Sequence, residues 1–238
     1  MNRMVTLDNV KRDILTAVLY TPQAVKRFFK TEVGAYAEHD QFLGASVPLL
    51  RGVAQKHAAL ELALIQQILT SPYNEERLFA LFVLIKQYQK GSAKERALLY
   101  EFYLANLAYV NNWNLVDCSA HLIVGNQLYD SGQTDLLYEF AASKNLWKKR
   151  VAIIATWYFI RQKQYELTCN IALKLAADTH DLIHKATGWM LREVGKKDVD
   201  VLRTFLHQSK HRFSRTTLRY ATERMIAQDR AKLLKLEK

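Results

Sequence analysis

Val110-Asn111-Asn112-Trp113-Asn114-Leu115-Val116-Asp117-Cys118-Ser119-Ala120 opens a helix in the middle of the chain. Asn111 or Asn112 can serve as its N-cap, because a side-chain amide oxygen satisfies backbone donors of the first turn. Trp113 and Asp117 are four apart, the spacing that sets two side chains on one helical face. Asp117 stays near the positive end of the helix, where a carboxylate is favoured. The motif also sets a phase for the whole chain. Glu76-Arg77-Leu78-Phe79-Ala80, Lys149-Arg150-Val151-Ala152-Ile153, His184-Lys185-Ala186-Thr187-Gly188 and Leu218-Arg219-Tyr220-Ala221-Thr222 each follow a charged residue with small or apolar ones. With Asp117 included, the charged positions are 77, 117, 150, 185 and 219, separated by 40, 33, 35 and 34 residues.

Spacings in that range suit two-helix repeats of the HEAT or tetratricopeptide kind. The expected fold is therefore all-α, an α-α superhelix of HEAT-like two-helix repeats. A single domain over 1–238 with about six helical pairs would end in a charged tail from about residue 228. The recurring positions would line its concave face, a row of Arg and Lys interrupted by Asp117. Composition agrees: half the 238 residues are hydrophobic, with only eight Gly and three Pro, too few turn formers for many short strands. No stretch alternates with period two.

Along the chain, helical stripes are expected at Leu7 to Tyr20, from Pro22 toward Glu32, from Pro48 to near His57, and from Ala58 to Thr70. Ser71-Pro72-Tyr73-Asn74-Glu75-Glu76-Arg77 combines capping residues, a proline and first-turn acids, and starts a helix that ends near Lys90-Gly91. Lys94–Leu107 and Asn112–Val124 follow, the latter stopping at Gly125. Further helices are expected at Leu128–Ala142 with a break at Ser131-Gly132, Trp147–Arg161, Tyr165–Ala176, His180–Val194 with Gly195 as C-cap, Val199–Gln208 and Ser214–Ala227.

The net charge of +11 is unevenly spread. Met1 to Trp147 holds 14 basic and 14 acidic residues, whereas Lys148 to Lys238 holds 20 basic and 9 acidic. A concentrated cationic region points to a polyanion, with nucleic acid first and an anionic membrane surface second. Candidate phosphate contacts are Arg77, Lys148, Lys149, Arg150, Lys185, Arg192, Arg219 and Arg224. Lys196, Lys197 and the segment from Arg230 onward read as solvated charges. Cys118 and Cys169 are too few for a disulfide framework. The N-terminus has no signal-peptide character, and no apolar run approaches the roughly 20 residues of a membrane span, so a soluble cytoplasmic monomer is expected.

Few chemistries are compatible with the remaining residues. His180/His184 and His207/His211 have helical metal spacing, but neither a Glu nor a Cys cluster accompanies them, so no metal and no cofactor are expected. Phosphate-loop, dinucleotide and serine-hydrolase patterns are absent. Trp147 and Trp157 lie among apolar neighbours and read as core. Gly188 directly before Trp189 in mid-helix costs about 1 kcal/mol relative to Ala, and so calls either for a close approach of a backbone or ligand or for a core Trp packed over a small residue. Asp117 is the one acid placed beside aromatic and basic partners. A purine alkylated at N3 or N7 carries positive charge and departs as a neutral base without a general acid. A carboxylate that stabilises the oxocarbenium-like sugar and positions a water is then enough, and indole faces attract cations.

These blocks resemble the AlkD-like DNA glycosylases, alkylation repair enzymes built from HEAT-like repeats. The resemblance spans nearly the whole chain. It is carried by Phe42-Leu43-Gly44 with Pro48 and Arg51, by Ser71 to Arg77, by Asn112-Trp113 to Asp117, by Leu146-Trp147-Lys148-Lys149-Arg150-Val151-Ala152-Ile153 and by Lys185-Ala186-Thr187-Gly188-Trp189-Met190-Leu191-Arg192-Glu193. It implies a catalytic role for Asp117, lesion or sugar contact by Trp113 and Trp189, and phosphate contact by Arg150. Tyr36 would be an N-terminal contact. Asn114 stands where relatives commonly carry an acid. Implied too are excision of N3- and N7-alkylated purines from double-stranded DNA and a mechanism that need not swing the base into a pocket. The alternative is a non-catalytic HEAT-like module that binds nucleic acid or protein.

Overall fold

Helix starts in this chain are set by short polar side chains that satisfy free backbone donors. In the computed structural model, which describes residues 6–234, the Thr6 hydroxyl accepts from the Asn9 amide at the start of α1 (Leu7–Leu15), and Thr21 does the same ahead of Pro22 in α2 (Pro22–Lys26). α3 (Val47–Lys56), α4 (Leu62–Leu69), α5 (Asn74–Lys90) and α6 (Ala93–Ala105) follow, the last opened by a Ser92/Glu95 capping box. Among the described residues there are no strands, only isolated bridges at Val18–Ala45 and Gln41–Tyr73. The fold is all-α, as the helical periodicity predicts.

By packing, the chain divides into two compact units, Met1–Leu115 and Val116–Lys238. In the first, α3, α4 and α6 surround α5, which is buried continuously from Asn74 to Ile85. A helix apolar nearly all round belongs in a core. Its first turn is polar yet buried: Glu75 accepts from the amides of Leu43 (3.0 Å), Gly44 (2.9 Å) and Ala45 (3.3 Å). Gly44 has φ +90°, and a Cβ there would stand 2.0 Å from the Tyr20 carbonyl oxygen. Only glycine fits. α1 is shorter than its apolar stripe predicts. The chain turns after Leu15, and the amides of Leu19 and Tyr20 bond the Gly44 carbonyl instead.

α7 (Trp113–Ala120) passes from the first unit into the second. There it runs through a wide π turn (His121–Gly125) into α8 (Asn126–Ser131). The predicted stop at Gly125 does not occur. That glycine is needed for close packing, since a Cβ would lie 2.2 Å from the Ala155 carbonyl oxygen. After Gly132, in the left-handed region, come α9 (Asp135–Ala142), α10 (Leu146–Arg161), α11 (Glu166–Lys174), α12 (Asp181–Lys197), α13 (Val199–Ser209), α14 (Arg215–Ala221) and α15 (Ala227–Leu234). α9 packs on α10 and α11 on α12, and α13 and α14 both pack on α12. α10 packs on the π turn and on α12, and α12 on α14. Gly195 is no cap: α12 continues to Lys197, and the glycine sits against Leu202. The predicted tail is helical to residue 234, with Leu233 buried and Asp229 bonded to Arg203; positions 235–238 lie outside the described residues.

Candidate catalytic carboxylate and nucleic-acid interface

Asp117 and Arg150, brought into phase by the 33-residue spacing, meet in the second unit. Arg150 Nε donates to Asp117 Oδ1 and Nη2 to Oδ2, each at 2.8 Å, while Nη1 donates to the Leu182 carbonyl at 2.6 Å. Such a fork-on-carboxylate pair fixes both planes. The Arg150 side chain is 6% exposed and that of Asp117 18%, so the carboxylate is the more accessible member. Burial pushes the Asp117 carboxyl above the ordinary carboxylate range, and the charge and hydrogen bonds of Arg150 pull it part of the way back.

One turn beyond Asp117, His121 begins an aromatic series. Its ring centroid is 4.5 Å from Trp157, and Trp157 meets Trp189 edge to face at 5.1 Å. Trp189 Nε1 donates to Glu193 Oε1 at 3.1 Å, fixing the indole from its other end. Gly188 has the reason its cost demands: a Cβ would stand 2.5 Å from both the Thr217 carbonyl oxygen and Tyr220 Cβ. Burial, aided by the charge of Arg161, pushes the His121 imidazole down to about 4, although the Asp117 backbone carbonyl opposes this. His121 is therefore neutral at pH 7. Trp147 and Trp157 are half-buried, not core. Trp157 escapes sequence reasoning because it stands in an unbroken apolar helix.

In the first unit, Trp113 stacks on Phe29 with centroids 5.1 Å apart and planes 18° apart. Both neighbouring residues are anchored. Asn112 Oδ1 accepts from the Trp113 amide at 2.7 Å, and Asn112 Nδ2 donates to Asp40 at 2.6 Å. Asn114 and Asn74 exchange side-chain hydrogen bonds, and Asn74 also donates to Asp40 at 2.9 Å. Of Asn111 and Asn112, the two candidate caps, Asn112 is the one whose side chain accepts from the first helical amide. Tyr36 lies half-buried in the irregular segment between α2 and α3.

Arg77 is a correction. Its guanidinium donates to Asp40 and to the carbonyls of Ser71 and Pro72, and its side chain is 5% exposed. It holds the first unit together and presents no surface to a phosphate. The other candidate cations are mostly engaged. Lys149 pairs with Asp178 at 2.6 Å, Lys185 with Asp181 at 2.7 Å and Arg192 with Glu223. The Lys148 ammonium lies 5.3 Å from the centroid of the Phe140 ring. Burial raises the Asp178 carboxyl, but hydrogen bonds from Lys149 and the His180 amide, with the nearby charges, bring it below the usual range. Arg219 and Arg224 are exposed. Among the described residues no three His, Cys, Asp or Glu side chains gather as metal ligands, and no helix is long and apolar enough to cross a membrane.

Comparison with known proteins identifies the family. A family model described as DNA alkylation repair enzyme matches residues 20–225. No curated protein sequence matches the chain. A solved structure described as a predicted DNA alkylation repair enzyme from Enterococcus faecalis is similar at a TM-score of 0.68 and 14% identity, covering 88% of this chain and 98% of that one. At that identity the likeness is one of fold. The family match spans most of the sequence, and the chain belongs to the DNA alkylation repair enzyme family.

Proposed function

We propose that the protein is a monofunctional DNA glycosylase that excises positively charged N3- and N7-alkylated purines from duplex DNA, the first step of base excision repair. The observation that carries this proposal is the Asp117–Arg150 pair, an oriented and partly accessible carboxylate beside a guanidinium, in a chain of the alkylation repair family. The glycosidic C1′–N bond breaks first, and its electron pair neutralises the departing base, so no proton donor is needed. Asp117 stabilises the cationic sugar and orients a water. That water adds hydroxide to C1′ and releases a proton, leaving an abasic site. Trp113 and Trp189 contact the lesion nucleotide, where indole faces favour a cationic base over an undamaged one. Arg150, as buried as Arg77 and turned onto Asp117 and the Leu182 carbonyl, acts first by fixing the carboxylate, and a backbone phosphate meets it only at its small exposed edge. Lys148, Lys149, Lys185, Arg192 and Arg219 support DNA binding, and Tyr36 is an N-terminal contact. The enzyme acts as a monomer, without metal or cofactor.

A second reading, a non-catalytic HEAT-like module, draws support from the same pair, because both Asp117 oxygens already accept hydrogen bonds. One assay separates the two. Duplex DNA bearing N7-methylguanine, incubated with the protein, is expected to yield free base measurable by chromatography. Absence of release at a concentration that shifts the duplex in a gel excludes the glycosylase. Asp117→Asn is expected to lower release by about 100-fold or more, the scale of losing one transition-state electrostatic contact, with duplex binding and thermal melting little changed.

A further inference from the structure

We infer that Arg215 and Arg219 of α14, flanked by Arg212 and Arg224, form a surface that grips the phosphate backbone of duplex DNA outside the Asp117 site. The inference rests on the DNA-binding part of the proposed function and is independent of base release. Between Val201 and Thr222 the chain contains no acidic residue. Glu223 is taken by Arg192, and Asp229 by Arg203. Arg212, Arg215, Arg219 and Arg224 are exposed and have no ion-pair partner among the described residues. They differ in this from Arg150, Lys149, Lys185 and Arg192, each of which faces a carboxylate. An ion pair presents little net field to an approaching polyanion, whereas four unpaired guanidiniums present their full charge.

The surface is also held rigidly. Thr217, Leu218 and Ala221 are buried, and Thr217 Oγ1 donates to the His184 carbonyl at 3.2 Å. Arg215 and Arg219, four apart, share one face of α14. Tyr220 and Thr217 abut Gly188, which seats α14 closely on α12. With Leu218 and Ala221 buried, α14 keeps no apolar side for a bilayer. A membrane-surface helix needs one, and a phosphate backbone does not.

Fluorescence anisotropy of full-length protein on an unmodified duplex, titrated with salt, tests the assignment. Arg215→Ala/Arg219→Ala is expected to reduce the slope of log affinity against log salt by about 2, near 0.9 per phosphate contact. At moderate salt it should weaken binding roughly tenfold, equally for damaged and undamaged duplex. Arg215→Lys/Arg219→Lys, which keeps the charges, is expected to restore the slope, and Arg212→Ala/Arg224→Ala to flatten it again. An unchanged slope in a normally melting Ala variant overturns the inference. So does a loss of binding to phosphatidylserine vesicles with duplex binding intact. If the wild type binds duplex with this salt dependence but releases no base, the glycosylase reading falls and the surface stands.

Discussion

Asp40 and Asp117 are both aspartates held by an arginine at a repeat-phased position, and they have opposite characters. Asp40, in the first unit, accepts from Arg77, Asn74 and Asn112, and its side chain is 6% exposed. Asp117, in the second, accepts side-chain hydrogen bonds from Arg150 and is 18% exposed. A buried carboxylate saturated with donors is a joint. One gripped from a single side, with solvent access left, retains capacity to meet a developing positive charge. Pairing with arginine therefore does not tell structure from chemistry; the unused acceptor capacity does.

Breaking each pair at its arginine gives the largest expected difference. Arg77→Ala leaves Asp40 buried without its counter-charge, and removing one partner of a buried pair costs about 3–5 kcal/mol. Arg150→Ala is expected to destabilise less, because Asp117 regains water at its exposed edge, while duplex affinity falls. Urea denaturation of the two variants checks the order. Equal losses of stability would mean that Asp117 is as much a joint as Asp40.

The second difference is sensitivity to acid. His121, one turn from Asp117 and 7% exposed, stays neutral because burial and Arg161 lower it from 6.5 to about 4. Facing it are the Trp157 ring and the Asp117 carbonyl. With the folded value depressed, the unfolded chain binds the extra proton. The stabilisation is thus complete above about pH 6.5 and is lost as pH falls toward 4. The full interval corresponds to something on the order of 3 kcal/mol. Melting temperature should drop across that range in the wild type and less steeply in His121→Phe. Identical pH profiles would remove His121 as the cause.

Much of this was legible in the sequence. The 33-residue offset brought Asp117 to Arg150, and Gly188 before Trp189 marked a place where something packs closely, which the structure identifies as α14. Gly125 and Gly195 misled, because a glycine that admits a neighbouring helix has the same sequence signature as one that ends its own. Lys185 finds Asp181 only four positions away, but most of the other candidate cations are decided by acids far along the chain. Arg77 finds Asp40 37 positions away, Lys149 finds Asp178 29 away and Arg192 finds Glu223 31 away. Local charge patterning has no access to such partners. Trp157 was hidden for a related reason. α10 is buried on most of its circumference from Arg150 to Ile160, and the apolar period of that stretch carries no mark that the Trp157 indole stays half-exposed.

The smallest expected effect concerns that indole. Trp113 is steadied by stacking on Phe29, and Trp189 by the edge of Trp157 together with the Glu193 hydrogen bond. If Trp157 acts by orienting Trp189, then Trp157→Leu should slow base release by the worth of one aromatic pair. That worth is about 0.5–1.5 kcal/mol, or roughly two- to twelvefold. Trp157→Phe should recover most of the loss. Trp189→Ala should cost more, and Trp157→Leu added to it should cost nothing further, since the ring to be oriented is gone. Single-turnover release from the N7-methylguanine duplex measures all four. Additive losses would show that Trp157 meets the lesion or its strand directly, and the aromatic contact surface of the second unit would then extend from Trp189 toward His121.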